Sequence, residues 1–206
     1  MVYVCEIKMI PLFNIPNYII DTSKFSNLLH DSIVSKFERK FANYVGADYA
    51  CSINSATNAI FLCLSRSSYE NETINVPSII PPVVLNAIIR SDNHIEFNDK
   101  VDWVGNSYIL HTYDDYKIID SAQKVERDQF TTEANDEDLM IFSFYPTKPI
   151  GGSDGGMIVS NDKNKIERLR SLTMNGMSSD INNWDRTIEM AGWKMYMNSI
   201  QAYIAN

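Results

Sequence analysis

A chain of 206 residues and 23.5 kDa with a formal net charge of -8 is long enough for one substantial core and too short for two full domains. Its 45% hydrophobic, 21% charged and 11% aromatic residues exclude a disordered or fibrous chain. The acidic balance excludes a general binder of nucleic acid, whose affinity rests on clustered Lys and Arg, and leaves room for a small anion held locally.

The N-terminal stretch "MVYVCEIKMIPLFN" lacks the basic start, apolar run and small-residue cleavage site of a secretory signal, so a cytoplasmic location is expected. The first helix is expected over Lys36 to Val45. Ser35-Lys-Phe-Glu38 reads as its capping box, and Gly46 suits the position just past its end. Short apolar runs then alternate with helical patterns. Strands are expected over Ala50 to Ile53, Thr73 to Val76, His94 to Phe97, Ser107 to Leu110, Lys117 to Ile119, Leu139 to Phe144 and Met157 to Ser160. Helices are expected over Ala56 to Ser65, Pro82 to Arg90 and about Lys163 to Thr173. Such an order predicts an α/β fold of three layers, α/β/α, with a mainly parallel sheet covered on both faces. Ligands of such sheets bind beyond the carboxyl ends of the strands.

The most apolar window, Ile74 to Ile89, carries Pro77, Pro81 and Pro82 and is too short to span a bilayer, so no membrane partner is expected. Cys5, Cys51 and Cys63 have no C-x-x-C spacing, which predicts neither a disulfide scaffold nor structural zinc but reduced, mostly buried thiols. His30, His94 and His111 show no ligand spacing with them. The last stretch, Met174 to Asn206, holds Trp184, Trp193 and Tyr196 and runs to the final residue without a helix-ending signal, as if in mid-element.

Three places fall at the ends of predicted strands. Asn54-Ser-Ala-Thr57 opens a helix directly after a strand, where free backbone N–H groups and the helix dipole favour a phosphate. Asp120-Ser-Ala-Gln123 sets a carboxylate and an amide at the end of the next such strand. "FSFYPTKPIGGSDGG", residues 142 to 156, brings a hydroxyl, an amine and four glycines that allow close backbone approach. Each alone has a bland reading: a cap, a turn, a surface lysine. In this order they match the needs of pyridoxal phosphate. Lys148 would form the Schiff base, Asp120 would keep the pyridine nitrogen protonated, and Ser55, Thr57 and helix N–H groups would hold the phosphate.

On these residues the sequence resembles the DegT/DnrJ/EryC1/StrS sugar aminotransferases of fold type I, from about Val34 to Ala202. "VSKFERKFANYVGADYACSINSATNAI" is similar to F-E-x-x-F-A-x-Y-x-G followed by S-G-T-x-A. "IIDSAQKV" is similar to E-D-x-A-Q, and "FSFYPTKPIGGSDGGMIVSND" to S-F-x-x-x-K followed by G-G and a strand. "LTMNGM" and "GWKMYMNSIQA" resemble two later segments. The resemblance implies a single large domain over 1–206 that binds pyridoxal 5'-phosphate, with an N-terminal arm at 1–33 and, at 174–206, the start of a truncated interdomain region. It implies Lys148 and Asp120 as catalytic residues, Gln123 at the cofactor's ring hydroxyl, and Ser143, Ala56 and Thr57 on its phosphate. Lys194 would reach the phosphate of the neighbouring subunit, which implies a homodimer. The activity implied is amino transfer, with glutamate as donor, to a nucleotide-linked keto sugar. The alternative is a non-catalytic or split large domain that binds the cofactor or a partner chain, its apolar end at Met195 to Ala205 serving as the docking surface.

Three departures from the family pattern stand out. The segment between Phe97 and Asp120 is compressed to little more than one strand and its turns, with His111 at the strand's end near the expected cofactor site. Pro77-Ser-Ile-Ile-Pro81 replaces P-S-F-T-F, so Ile80 or Pro81 is expected to pack on the cofactor ring in place of an aromatic. Ala56 stands where the family has glycine.

Overall fold

The structure is a computed structural model that describes residues 15, 17–65, 71–100, 103–177 and 187–206. Cys5 and Trp184 lie outside the described residues. Among the described residues six α-helices and seven strands follow one another as α1 (Ser32–Val45), β1 (Tyr49–Ile53), α2 (Ala56–Leu64), β2 (Thr73–Val76), α3 (Pro82–Arg90), β3 (His94–Phe97), β4 (Tyr108–Thr112), β5 (Lys117–Asp120), α4 (Gln129–Glu133), β6 (Leu139–Ser143), β7 (Gly156–Ser160), α5 (Lys163–Thr173) and α6 (Ser199–Ala205).

The five-stranded sheet has the order β1-β7-β6-β5-β4, and β2 pairs with β3 beside it. The α/β class is the expected one, but the sheet is mixed rather than mainly parallel. β5–β6 and β2–β3 are parallel, whereas β1–β7, β6–β7 and β4–β5 are antiparallel. Connection length explains one of these pairs, β4–β5. A parallel neighbour needs a crossover of a dozen residues or more, usually a helix. Between β4 and β5 there is only a tight turn, closed by the Tyr113 N–H on the Tyr116 carbonyl at 2.9 Å, so the chain must come straight back.

Strand alternation divides the core into two layers. Ile118, Leu139, Ile141 and Ile158 face α2, α3 and α5. Ile119, Met140, Phe142 and Val159 face α1, α4 and α6, where Phe37 and Phe41 form an aromatic cluster with Phe142 and Phe144. With helices on both faces, β6 and β7 are buried throughout, which is why they read as continuous apolar runs, while the edge strand β4 keeps exposed positions. Cys51 and Cys63 are free, buried thiols of this core, and burial pushes both well up, that of Cys51 to about 12.

Two helix ends correct the sequence reading. α1 starts at Ser32, where the Asp31 carboxylate accepts the Ile33 N–H at 3.1 Å, so Ser35 lies inside the helix and forms no capping box. Glu38 turns inward instead. It accepts the Ser52 N–H and hydroxyl at 2.8 and 2.7 Å and pairs with Arg170 at 2.9 Å. Gly46 ends α1 as expected, at φ 78°. At the other end of the chain, α6 begins with a capping box between Asn198 and Gln201. It buries Ala202 and Ala205 against α1, with Met197 just ahead of it, so the stretch expected to be an exposed apolar surface is packed into the core.

Candidate functional site

A cavity of about 500 Å³ opens at the carboxyl ends of β5 and β6, between those strands and the starts of α2 and α3. Its size is that of a small-ligand pocket. The fold brings seven of the eight expected site residues to it: Ser55, Ala56, Thr57, Asp120, Gln123, Ser143 and Lys148. Lys194 is apart from it, exposed and bridged to Met174.

β1 delivers the chain to α2. Ser55 leaves the strand in an extended conformation and its hydroxyl accepts the Asn58 N–H at 3.2 Å, so it acts as the helix cap. The backbone N–H groups of the first turn of an α-helix have no partner within the helix, and Ala56 and Thr57, in that turn of α2, line the cavity. β7 packs tightly here. A Cβ on Gly156 would stand 2.8 Å from Ala56 N and 2.9 Å from Ala56 Cα, so only glycine lets the strand start against the helix end.

Asp120 ends β5 and is only 4% exposed. One of its oxygens accepts the Ala122 N–H at 2.9 Å and the other the Tyr108 hydroxyl at 3.0 Å. Burial raises its pKa above the usual carboxylate value, while these two donors and the charge of Lys148 pull the other way. Lys148 follows β6 in the glycine-bearing loop; its backbone N–H bonds the Tyr145 carbonyl at 2.9 Å, and its amine has no hydrogen-bond or ion-pair partner among the described residues. Ser143, buried at the end of β6, accepts the Tyr145 N–H at 3.3 Å. The Gln123 amide oxygen accepts the Gly105 N–H at 3.2 Å and ties the turn ahead of β4 to the site.

Ile80 and Pro81 both line the cavity, as the departure from an aromatic there led us to expect. Trp103, Tyr108, Tyr145 and Asp154 also line it, and sequence reasoning did not find them. Tyr108 becomes visible only through the antiparallel register that sets it opposite Asp120. His111 is not at the cavity: a register shift between Ile109 and His111 turns it towards Glu72, 4.0 Å away, and it packs edge-on against Tyr113. Burial lowers its basicity, the Glu72 charge opposing.

An amine with no hydrogen-bond or ion-pair partner among the described residues, in one cavity with a buried carboxylate and the N-terminus of α2, fits a ring carrying an aldehyde, a basic nitrogen and a phosphate. Those are the groups of pyridoxal phosphate. Among the described residues no cluster of His, Cys, Asp and Glu could hold a metal ion, and no helix is long and apolar enough to cross a membrane.

Fold and site together define a large α/β domain of the fold-type I aminotransferase kind. In agreement, the DegT/DnrJ/EryC1/StrS aminotransferase family matches residues 15–101 and 122–206, and the chain belongs to that family. The unmatched stretch, 102–121, holds Trp103, β4, β5 and Asp120. The chain is 25% identical to the UDP-4-amino-4,6-dideoxy-N-acetyl-β-L-altrosamine transaminase of Campylobacter jejuni, covering 81% of this chain and 54% of that protein. It is 27% identical to the spore coat polysaccharide biosynthesis protein SpsC of Bacillus subtilis, covering 82% and 54%. The chain thus spans about half the length of these curated relatives. Among solved structures it resembles NtdA of Bacillus subtilis with bound cofactor PMP (TM-score 0.69, 16% identity, 87% of this chain and 48% of that one) and PseC of Helicobacter pylori (TM-score 0.66, 17% identity, 94% and 64%).

Proposed function

We propose that this chain is the cofactor-binding large domain of a pyridoxal-phosphate-dependent aminotransferase, acting in the cytoplasm on a nucleotide-linked keto sugar with glutamate as amino donor. The observation that carries the reading is the meeting of Lys148 and Asp120 in one cavity at the N-terminus of α2. Relatives that include a UDP-sugar transaminase, a GDP-perosamine synthase and a dTDP-sugar transaminase support the substrate class. Residues 1–206 would form one unit, with 1–33 as an arm and 174–206 leading towards the interdomain region. A homodimer would let Lys194 reach a neighbouring site.

When bound, pyridoxal phosphate supplies an electron sink for a substrate carbon that loses its proton. The chain supplies the rest. Lys148 Nζ would hold the group covalently and, as a free amine, would carry the proton between carbons. Asp120 keeps a proton on the ring nitrogen by pairing with its positive charge. Ser55, Ser143 and the N–H groups of Ala56 and Thr57 bind the phosphate. Gln123 orients the ring hydroxyl, and Ile80 with Pro81 covers a ring face and keeps water off it.

The test is a visible spectrum of the protein purified with pyridoxal phosphate, followed by borohydride reduction and peptide mass analysis. A band near the visible edge and a borohydride-stable adduct on Lys148, both absent in Lys148→Ala, are the expected result. A folded protein with neither would refute the reading.

A further inference from the structure

We propose that Tyr108 is a positioning residue that holds Asp120 in its charged form and aims its free lone pairs into the cavity. The inference rests on the reading of Asp120 given above. Tyr108 opens β4, and because β4 runs antiparallel to β5 the first residue of one strand stands opposite the last of the other. Its hydroxyl donates to Asp120 Oδ2 at 3.0 Å, while the Ala122 N–H donates to Oδ1 at 2.9 Å. Both residues are buried, and both line the cavity. The hairpin that makes this contact, β4 to β5, lies within the segment 102–121 that the family model leaves unmatched.

The physical argument concerns where a proton sits. A carboxylate with a 4% exposed residue around it is pushed towards its neutral form by lost hydration. A neutral acid cannot pair with a positively charged ring nitrogen. The groups that hold the charge are three: the Ala122 N–H, the Tyr108 hydroxyl and the Lys148 ammonium, which come from the turn after β5, from β4 and from the loop after β6. Asp154 lines the same cavity and adds a carboxylate of its own. When a covalent bond uses the Lys148 amine, its positive charge is no longer the same counterion, and Tyr108 and Ala122 carry more of the load. Tyr108 itself stays protonated, since burial and the adjacent Asp120 charge drive its ionisation far above the normal range.

The experiment uses the whole chain freed of cofactor, as wild type and Tyr108→Phe. Equilibrium dialysis measures affinity from pH 5 to 8.5 for pyridoxal phosphate and for an analogue with carbon in place of the ring nitrogen. Phe keeps the ring and removes only the hydroxyl, and circular dichroism of the unloaded protein checks the fold. Loss of one donor to a buried carboxylate moves its titration by about one pH unit, so the acid limb of pyridoxal phosphate affinity is expected at about one unit higher pH, with about tenfold weaker binding on that limb and none of this for the analogue. An unmoved limb, or an equal loss for both compounds at every pH, overturns the role of Tyr108. Wild type that takes up neither compound overturns the parent reading, and this one with it; wild type that binds while the limb stays fixed overturns this one alone.

Discussion

Arg170→Met is expected to destabilise the fold by about 3–5 kcal/mol. Arg170 comes from α5 and reaches across β1 to α1. Its Nη1 donates to both oxygens of Glu38, at 2.9 and 3.0 Å, and its Nη2 donates to the Ala50 carbonyl at 2.6 Å. Glu38 is 6% exposed and accepts two further bonds, both from Ser52. Hydrogen bonds to charged groups contribute about 1.5–3 kcal/mol each, and removing one partner leaves the other to bear its lost hydration. Three such bonds go with the guanidinium, and relaxation around Glu38 and Ala50 returns part of the loss, which leaves the stated range. Urea unfolding at neutral pH, followed by circular dichroism, gives the number. Glu38→Gln combined with Arg170→Met removes both charges while keeping an acceptor for Ser52, so the double variant should be more stable than Arg170→Met alone. A single-variant loss below about 1 kcal/mol, or a double variant less stable than the single, would refute the claim that an uncompensated buried charge is the cause.

Gly156→Ala is expected to lower stability by about 1–3 kcal/mol and to weaken cofactor uptake with it, because the new methyl group meets backbone atoms of Ala56 at under 3 Å and neither side is a flexible side chain. Denaturant unfolding and a cofactor titration of the same sample check both halves, and an intact affinity beside lost stability would show that the α2 N-terminus does not hold the ligand. Asp31→Ala removes the α1 cap and should cost about 1 kcal/mol at pH 7. The Ser26 and Ile33 N–H groups hold the Asp31 carboxyl down at about 2. Its contribution is therefore present above the unfolded value near 3.8 and fades as pH falls towards 2, so the wild-type and Asp31→Ala stability curves should converge on acidification. Parallel curves down to pH 2 would sink that account.

What could be read directly from the residues was local in origin. β2, α3, β3 and α5 lie where periodicity and punctuation set them, because each is bounded by its own stop signals: Pro77 after β2, Pro81 and Pro82 opening α3, and Asp162 capping α5 through the N–H groups of Asn164 and Lys165. The site residues were legible for a related reason. Ser55, Asp120, Ser143 and Lys148 stand at or past strand ends, and because β1, β5 and β6 run in the same direction those ends share one rim.

Direction and register were another matter, since no residue states which neighbour its strand will join. The short β4–β5 connection makes that pair antiparallel, which sets Tyr108 against Asp120, and the register shift after Ile109 sends His111 to Glu72. Glu38 likewise looked like half of a capping box, because Ser35 and Glu38 have the right spacing. The partner that draws it inward, Arg170, is 132 positions away in sequence. Sequence by itself determined the elements and the chemical kit at the strand ends, for these depend on neighbours along the chain. Tertiary structure decided which buried charges and donors meet, since in a low-dielectric interior that is settled by distance in space.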